Sequence, residues 1–233
     1  MIALIQRWPL AMAGVFVAAV ALLGVAYVAN ADGPGDHAGH GGAHGTGASI
    51  ERTETAVQFR QDMRKLWEDH ITWTRLYIVS AVGNLPDKTL TAQRLLRNQA
   101  DIGNAVKPFY GEEAGDQLTS LLTDHILIAA ALIDAAIAMD AMEVEEQTVL
   151  WYANADAIAE FLSAANPRYW PLDELKAEMR EHLTLTLNET VAQIQGDYAA
   201  SIAAYDQVHE QILHMADMLS AGIIRQFPPK FRM

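Results

Sequence analysis

Between Arg52 and Gln226 apolar residues recur at steps of three and four. Phe59, Met63, Leu66, His70, Trp73 and Tyr77 make one stripe, Leu118, Leu121, His125, Ile128 and Leu132 a second, and Leu175, Met179, His182 and Leu185 a third. This is the helical period, and it predicts segments that each bury one face. Five groups of breakers interrupt the pattern: Gly83-Asn84-Leu85-Pro86-Asp87, Lys107-Pro108 to Gly111, Met139-Asp140-Ala141, Asn166-Pro167 to Pro171, and Gln195-Gly196-Asp197. Five breaks predict six helices. Short connections make successive helices antiparallel neighbours, so the expected fold class is all-α, a six-helix bundle built from three antiparallel helical hairpins. Proline with aromatics follows each expected hairpin, at Pro108-Phe109-Tyr110, Pro167 to Pro171, and Phe227-Pro228-Pro229.

Each stripe contains one histidine, and an Ala-Asp pair follows each. Asp101 comes 31 residues after His70 (101 − 70), Asp156 comes 31 after His125 (156 − 125), and Asp217 comes 35 after His182 (217 − 182). The midpoints fall in or beside the first, third and fifth breaks. In an antiparallel pair, residues equidistant from the turn lie at the same height, so each His is expected to face its Asp. A carboxylate near a core needs such a partner. Around His70, the residues Trp67, Trp73, Thr74, Arg75 and Tyr77 form an aromatic cluster that reads as packing, with a small-molecule pocket as the alternative.

The same hydropathy reading finds a different segment at the start of the chain. Arg7 precedes an apolar run from Leu10 to Ala29 without a charge, followed by Ala29-Asn30-Ala31 and Asp32. About 20 residues at about 1.5 Å each reach across a bilayer. Two readings stay open for residues 1–31, a retained N-terminal transmembrane anchor and a cleaved signal peptide. Arg7 on the short side predicts a single-pass inner-membrane placement with the bulk of the chain periplasmic, or more generally extracytoplasmic. Residues 32–51 read as a flexible Gly/His-rich tether carrying His37, His40 and His44, either a plain linker or a weak chelator of a transition metal. Residues 52–226 are then the helical domain and 227–233 a basic C-terminal tail suited to an acidic partner or lipid headgroups.

Composition narrows the chemistry. With 16 Lys+Arg against 29 Asp+Glu the net charge is -13, which argues against nucleic acid as a partner. There are no cysteines, so a metal would need His and carboxylate ligands. The densest set is on the last expected helix, where Asp206, His209, Glu210, His214 and Asp217 fall within one stretch at helical spacing. The candidate metal ligands are His70, His125, His182, His209, His214, Asp101, Asp156, Asp217 and Glu210, for a divalent Zn, Cu, Fe or Mn ion. The competing reading makes the histidines hydrogen-bonded core residues. No phosphate loop, nucleophile elbow or paired catalytic carboxylates occurs, so no catalytic residue is assigned and an enzyme is not the expectation.

The segments LWEDHITWTR, LPDKTLTAQRLLRNQADIG, NADAIAEFLSAANP and HMADMLSAGIIRQFP resemble a family of bacterial all-helical proteins with no assigned activity. The resemblance spans about residues 60 to 231 and implies the fold without any catalytic residue. Two functional expectations follow. The first is a non-catalytic, membrane-anchored module acting as an accessory or scaffold subunit of a larger membrane complex, respiratory or photosynthetic for example. The second is a His/carboxylate metal-binding protein for storage, sensing or delivery.

Overall fold

The computed structural model describes residues 50–232. The apolar run at 10–29 and the tether histidines His37, His40 and His44 lie outside the described residues. The described chain is helical, with no strand among its residues: α1 (Glu54–Val82), α2 (Lys88–Tyr110), α3 (Glu112–Ala138), α4 (Ala141–Ala165), α5 (Leu172–Gln195), α6 (Tyr198–Gln226) and a closing 3-10 turn, Pro228–Phe231.

Side-chain chemistry sets the helix starts. Thr53 caps α1 by accepting from the Ala56 N–H, Asp140 caps α4 by accepting from Glu143, and Asp197 caps α6 by accepting from Ala200. Gly196 ends α5 in the left-handed region at φ 75. Met139 does the same for α3 at φ 61, an unusual conformation for a residue with a Cβ. Pro108 does not end α2, which runs two residues past it. Its ring costs only one backbone bond there, and the helix stops at Gly111, whose φ of 91 disfavours any other residue.

Contacts run in opposite directions along each neighbouring pair. On α1 and α2, Lys88 lies over the Tyr77 ring, Gln99 meets His70 and Phe109 meets Phe59. On α4 and α5, Tyr152 pairs with Thr184, Asp156 with Arg180 and Glu160 with Lys176. Helix α6 returns to α1 through Tyr205 with Thr72, His209 with Glu68 and Asp217 with Arg64. The six helices therefore close into a ring in which α1 also touches α3 and α5 across the interior. One end, the turn end, carries the connections at 83–87, 139–140 and 196–197. The other carries Gly111, residues 166–171, and both Ile50 and the 3-10 turn.

Helix α3 is long and apolar enough to cross a membrane by length and composition. In the bundle its apolar side, including Leu118, Leu122, Ile126 and Ile133, is buried, while Asp116, Asp124 and Asp134 stand in solvent. At the opposite end from the turns, the expected basic tail folds back: Phe231 is buried, with its ring 5.4 Å from Phe59 and 5.6 Å from Phe109. Lys230 lies over the Phe109 ring.

Helices α2 and α3 touch backbone to backbone at two glycines. A Cβ on Gly103 would stand 2.0 Å from Thr119 Oγ1 and 2.5 Å from the Gly115 carbonyl oxygen. Alanine ordinarily favours a helix interior over glycine by about 1 kcal/mol. Here the contact outweighs that gain, and Gly103→Ala is expected to destabilise the bundle by about 2 kcal/mol in urea unfolding. An unchanged or raised midpoint would show that the two helices do not meet so closely.

Candidate functional site

The three stripe histidines occupy equivalent places on α1, α3 and α5, and all are buried. Their partners are amides rather than carboxylates. His70 Nδ1 lies 3.3 Å from Gln99 Nε2, and His125 Nδ1 lies 2.8 Å from Asn154 Oδ1. Gln211 is the counterpart for His182, and each of these three amides follows its histidine by 29 residues (99 − 70, 154 − 125, 211 − 182). The repeat continues in the backbone. The side-chain amide N–H of Asn98 donates to Leu66 O at 3.0 Å, that of Asn154 to Leu121 O at 3.1 Å, and that of Gln211 to Glu178 O at 3.1 Å. Leu66, Leu121 and Glu178 each sit four residues before their histidine.

These bonds set the imidazole tautomers. Leu121 O accepts only, so Asn154 turns its N–H to it and its oxygen to His125, which must carry its proton on Nδ1. Gln211 is oriented the same way by Glu178 O. It acts on His182 as a hydrogen-bonding neighbour, although neither His182 Nδ1 nor Gln211 Oε1 completes a bond of good geometry. In the first hairpin two neighbouring residues share these roles. Asn98 takes the carbonyl, and Gln99, which donates to Leu95 O at 2.8 Å, offers a second N–H to His70 Nδ1. His70 therefore carries its proton on Nε2.

The rings lie close together. His70 and His182 have centroids 5.7 Å apart, and Trp67 and Trp151 pack on His70 and His125. Burial holds His125 down to about 3, helped by the charge of His182. Burial likewise holds His182 down to about 4. His70 is pushed well below the range of a free imidazole by burial, then by His182 and His125. All three are neutral at pH 7.

The expected His–Asp pairs do not form. A two-residue offset turns the helix by about 200°, so Asp101 and Asp156 point away from the interior that Gln99 and Asn154 face. Asp101 is exposed. Asp156 accepts from Arg180 Nε and Nη2, at 3.1 and 2.8 Å, and that hydrogen-bonded guanidinium holds its carboxyl below the usual range. Asp217 pairs with Arg64 at 2.7 Å. The desolvation cost of a carboxylate explains the exchange: an amide satisfies an imidazole and a carbonyl without bringing charge into the core.

The last-helix set is also dispersed. His209 Nε2 is 3.1 Å from Glu68, His214 Nε2 is 3.4 Å from Glu178, and Glu210 is exposed. His214 and Glu210 border an open groove of about 360 Å³ between α5 and α6, with Glu178, Glu181 and Gln211 in its wall. Among the described residues no group of three or more His, Asp or Glu is placed to hold one metal ion. The nine candidate ligands thus do not form a common site.

Two further interior polar groups carry no signal in the sequence pattern. Arg75 reaches from α1 to Glu189 Oε1 at 3.0 Å and Ser201 Oγ at 2.5 Å, and Ser201 donates to Gln193 at 3.0 Å. Glu189 is sealed, and burial pushes its carboxyl up to about 7 against the pull of Arg75. The aromatic packing expected of Arg75 is also present, since its guanidinium lies over the Tyr205 ring at 5.7 Å. For the amides a usable signal does exist: in NQAD (98–101) and ANAD (153–156) they stand two positions before the aspartate.

Chemically, the histidine layer is a set of neutral imidazoles beside amide side chains. The gaps below the histidine layer are about 20 Å³ and apolar, lined by residues such as Met63, Ile102, Leu118 and Leu162. Comparison with protein-family models, curated proteins and solved structures gave no match for the chain.

Proposed function

We propose that the chain is a non-catalytic module, held at the extracytoplasmic face of a membrane by residues 1–31 and acting as an accessory or scaffold subunit of a larger membrane complex. Its bundle is read as three antiparallel hairpins, each with an amide bonded to the backbone carbonyl four residues before its histidine, on the tether of residues 32–51. The observation that carries this reading is where the polar groups are spent. The buried ones hold helices to one another, while large apolar side chains remain in solvent at the turn end: Leu90, Met139, Met142, Tyr198 and Ile202 are 52% to 82% exposed. Such a distribution suits a protein that binds others through its surface. Extraction of the full chain from its own membranes in mild detergent is expected to yield a stoichiometric complex, with intact mass retaining residues 1–31. A chain recovered alone would refute the role.

A second reading has its own observation. Two imidazoles sharing one ion, with metal–nitrogen bonds of about 2.0–2.1 Å, have ring centres about 5 to 6 Å apart, and His70 and His182 stand at 5.7 Å. His70, whose Nδ1 faces the Gln99 amide N–H, would have to release its Nε2 proton or turn to ligate. A Zn, Cu, Fe or Mn ion would still require His125 or another donor to swing inward. Elemental analysis of untagged protein, with His182→Asn as control, decides: metal-free protein whose melting is insensitive to added Zn and Cu eliminates the reading.

A further inference from the structure

The turn end combines two features whose conjunction defines a partner. Its apolar surface comes from all three connections: Leu85 and Leu90 at the first, Met139 and Met142 at the second, Tyr198 and Ile202 at the third. These six are nearly half of the thirteen large hydrophobic side chains exposed among the described residues, although this end holds only the three short connections and the helix turns beside them. The charged residues among them are almost all acidic, beside the uncharged Asn84, Thr89 and Gln195. Asp87, Asp140, Glu145, Glu146 and Asp197 are exposed there, and the one lysine of these connections, Lys88, is engaged by Asp134.

We propose that this end docks a protein partner presenting an apolar patch ringed by Lys and Arg. The inference rests on the accessory role and names the surface through which it acts. Charge decides among the occupants. A second copy would bring one carboxylate rim against another, and an anionic bilayer would be repelled by the same rim. A cationic amphipathic surface satisfies both parts of the face. Methionine suits the centre, since its unbranched side chain adapts to an opposing shape. Met139 adds an independent sign: it holds a left-handed backbone conformation at φ 61 where glycine would be unstrained, while its side chain is 52% exposed. Nothing inside the bundle is gained by having a side chain at that position.

The test uses the full chain in detergent with two synthetic helical peptides, one of Leu and Lys only and one of Leu and Glu only. The Leu/Lys helix is expected to bind, and the Leu/Glu helix to bind at least about tenfold more weakly. Leu90→Ser/Met142→Ser and Glu145→Lys/Glu146→Lys change exposed side chains only, and each double variant is expected to raise Kd at least about tenfold with the helical signal unchanged. Met139→Gly is expected to raise Tm and weaken binding together, which separates docking from folding. Binding that survives loss of Leu90 and Met142 would reduce the attraction to generic charge and overturn the proposal. Self-association of the chain that Leu90→Ser/Met142→Ser abolishes would make the occupant a second copy, which also overturns it. A native complex that persists in both double variants moves the contact to another face and leaves the accessory role standing, whereas a wild-type chain extracted alone removes the role itself.

Discussion

Acidification from pH 7 to pH 5 is expected to cost the bundle several kcal/mol and to bring it near unfolding. In the unfolded chain the imidazoles take up protons near 6.5, whereas in the fold His182 does so only near 4 and His125 near 3, chiefly because they are buried. Below 6.5 the unfolded state therefore binds more protons, and stability falls by about 1.4 kcal/mol per pH unit per ring until the folded pKa is reached. At pH 5 the loss is about 2 kcal/mol for each of these two rings, and His70, lowered in the same direction by burial, adds to it. Glu189 works the other way. Its carboxyl, raised to about 7 by burial, gains protons in the fold before the unfolded chain does, which returns about 2 kcal/mol over the same interval. The histidines win, because there are three of them. Urea midpoints measured every half unit from pH 7.5 to 4.5 check this, with His125→Asn expected to flatten the slope. A stability independent of pH between 6.5 and 5 would mean that the rings are hydrated or already charged in the fold.

Arg75→Met is expected to lower stability by about 3 to 5 kcal/mol at pH 8.5 and by clearly less at pH 6. The methionine keeps most of the volume but leaves Glu189, which is 1% exposed, without its cation. At pH 6 the carboxyl is already protonated in the fold, and its loss of partner costs little beyond the hydrogen bond. Above pH 7 the wild-type carboxylate is ionised and compensated, while the variant must keep its proton, at about 1.4 kcal/mol for each further pH unit. Glu189→Gln added to Arg75→Met is expected to remove the pH dependence and recover most of the loss. Chemical denaturation at the two pH values reads both effects, and an equal penalty at each would place Glu189 in water.

The helix count and the five connections are legible in the sequence because glycine, proline and Asp-capped turns interrupt a clear period of 3.6. The second boundary falls later than the pair Lys107-Pro108 suggests, because a proline in the last turn of a helix removes little and the backbone yields only at Gly111. The histidine stripes are legible too, and so is their need of a partner on the following helix. The partner's identity is not. Spacing gives 31, 31 and 35 for aspartate and 29 each time for an amide, and the uniform set is the one the fold uses. Aspartate stands out as the costly residue to bury, whereas the chain avoids the cost by turning Asp156 and Asp217 toward Arg180 and Arg64. Arg75 with Glu189 is out of reach for another reason: they lie 114 residues apart on α1 and α5, and no local pattern links them.

Thr55 Oγ1 donates to the Phe231 carbonyl at 3.2 Å, joining the first turn of α1 to the last residues described. The start and finish of the bundle are thereby gathered at one pole. The opposite pole, with Met139 and Met142, carries neither end of the described chain. A bundle arranged in this way has both its chain ends on one side, fixed by nothing more than an even number of helices.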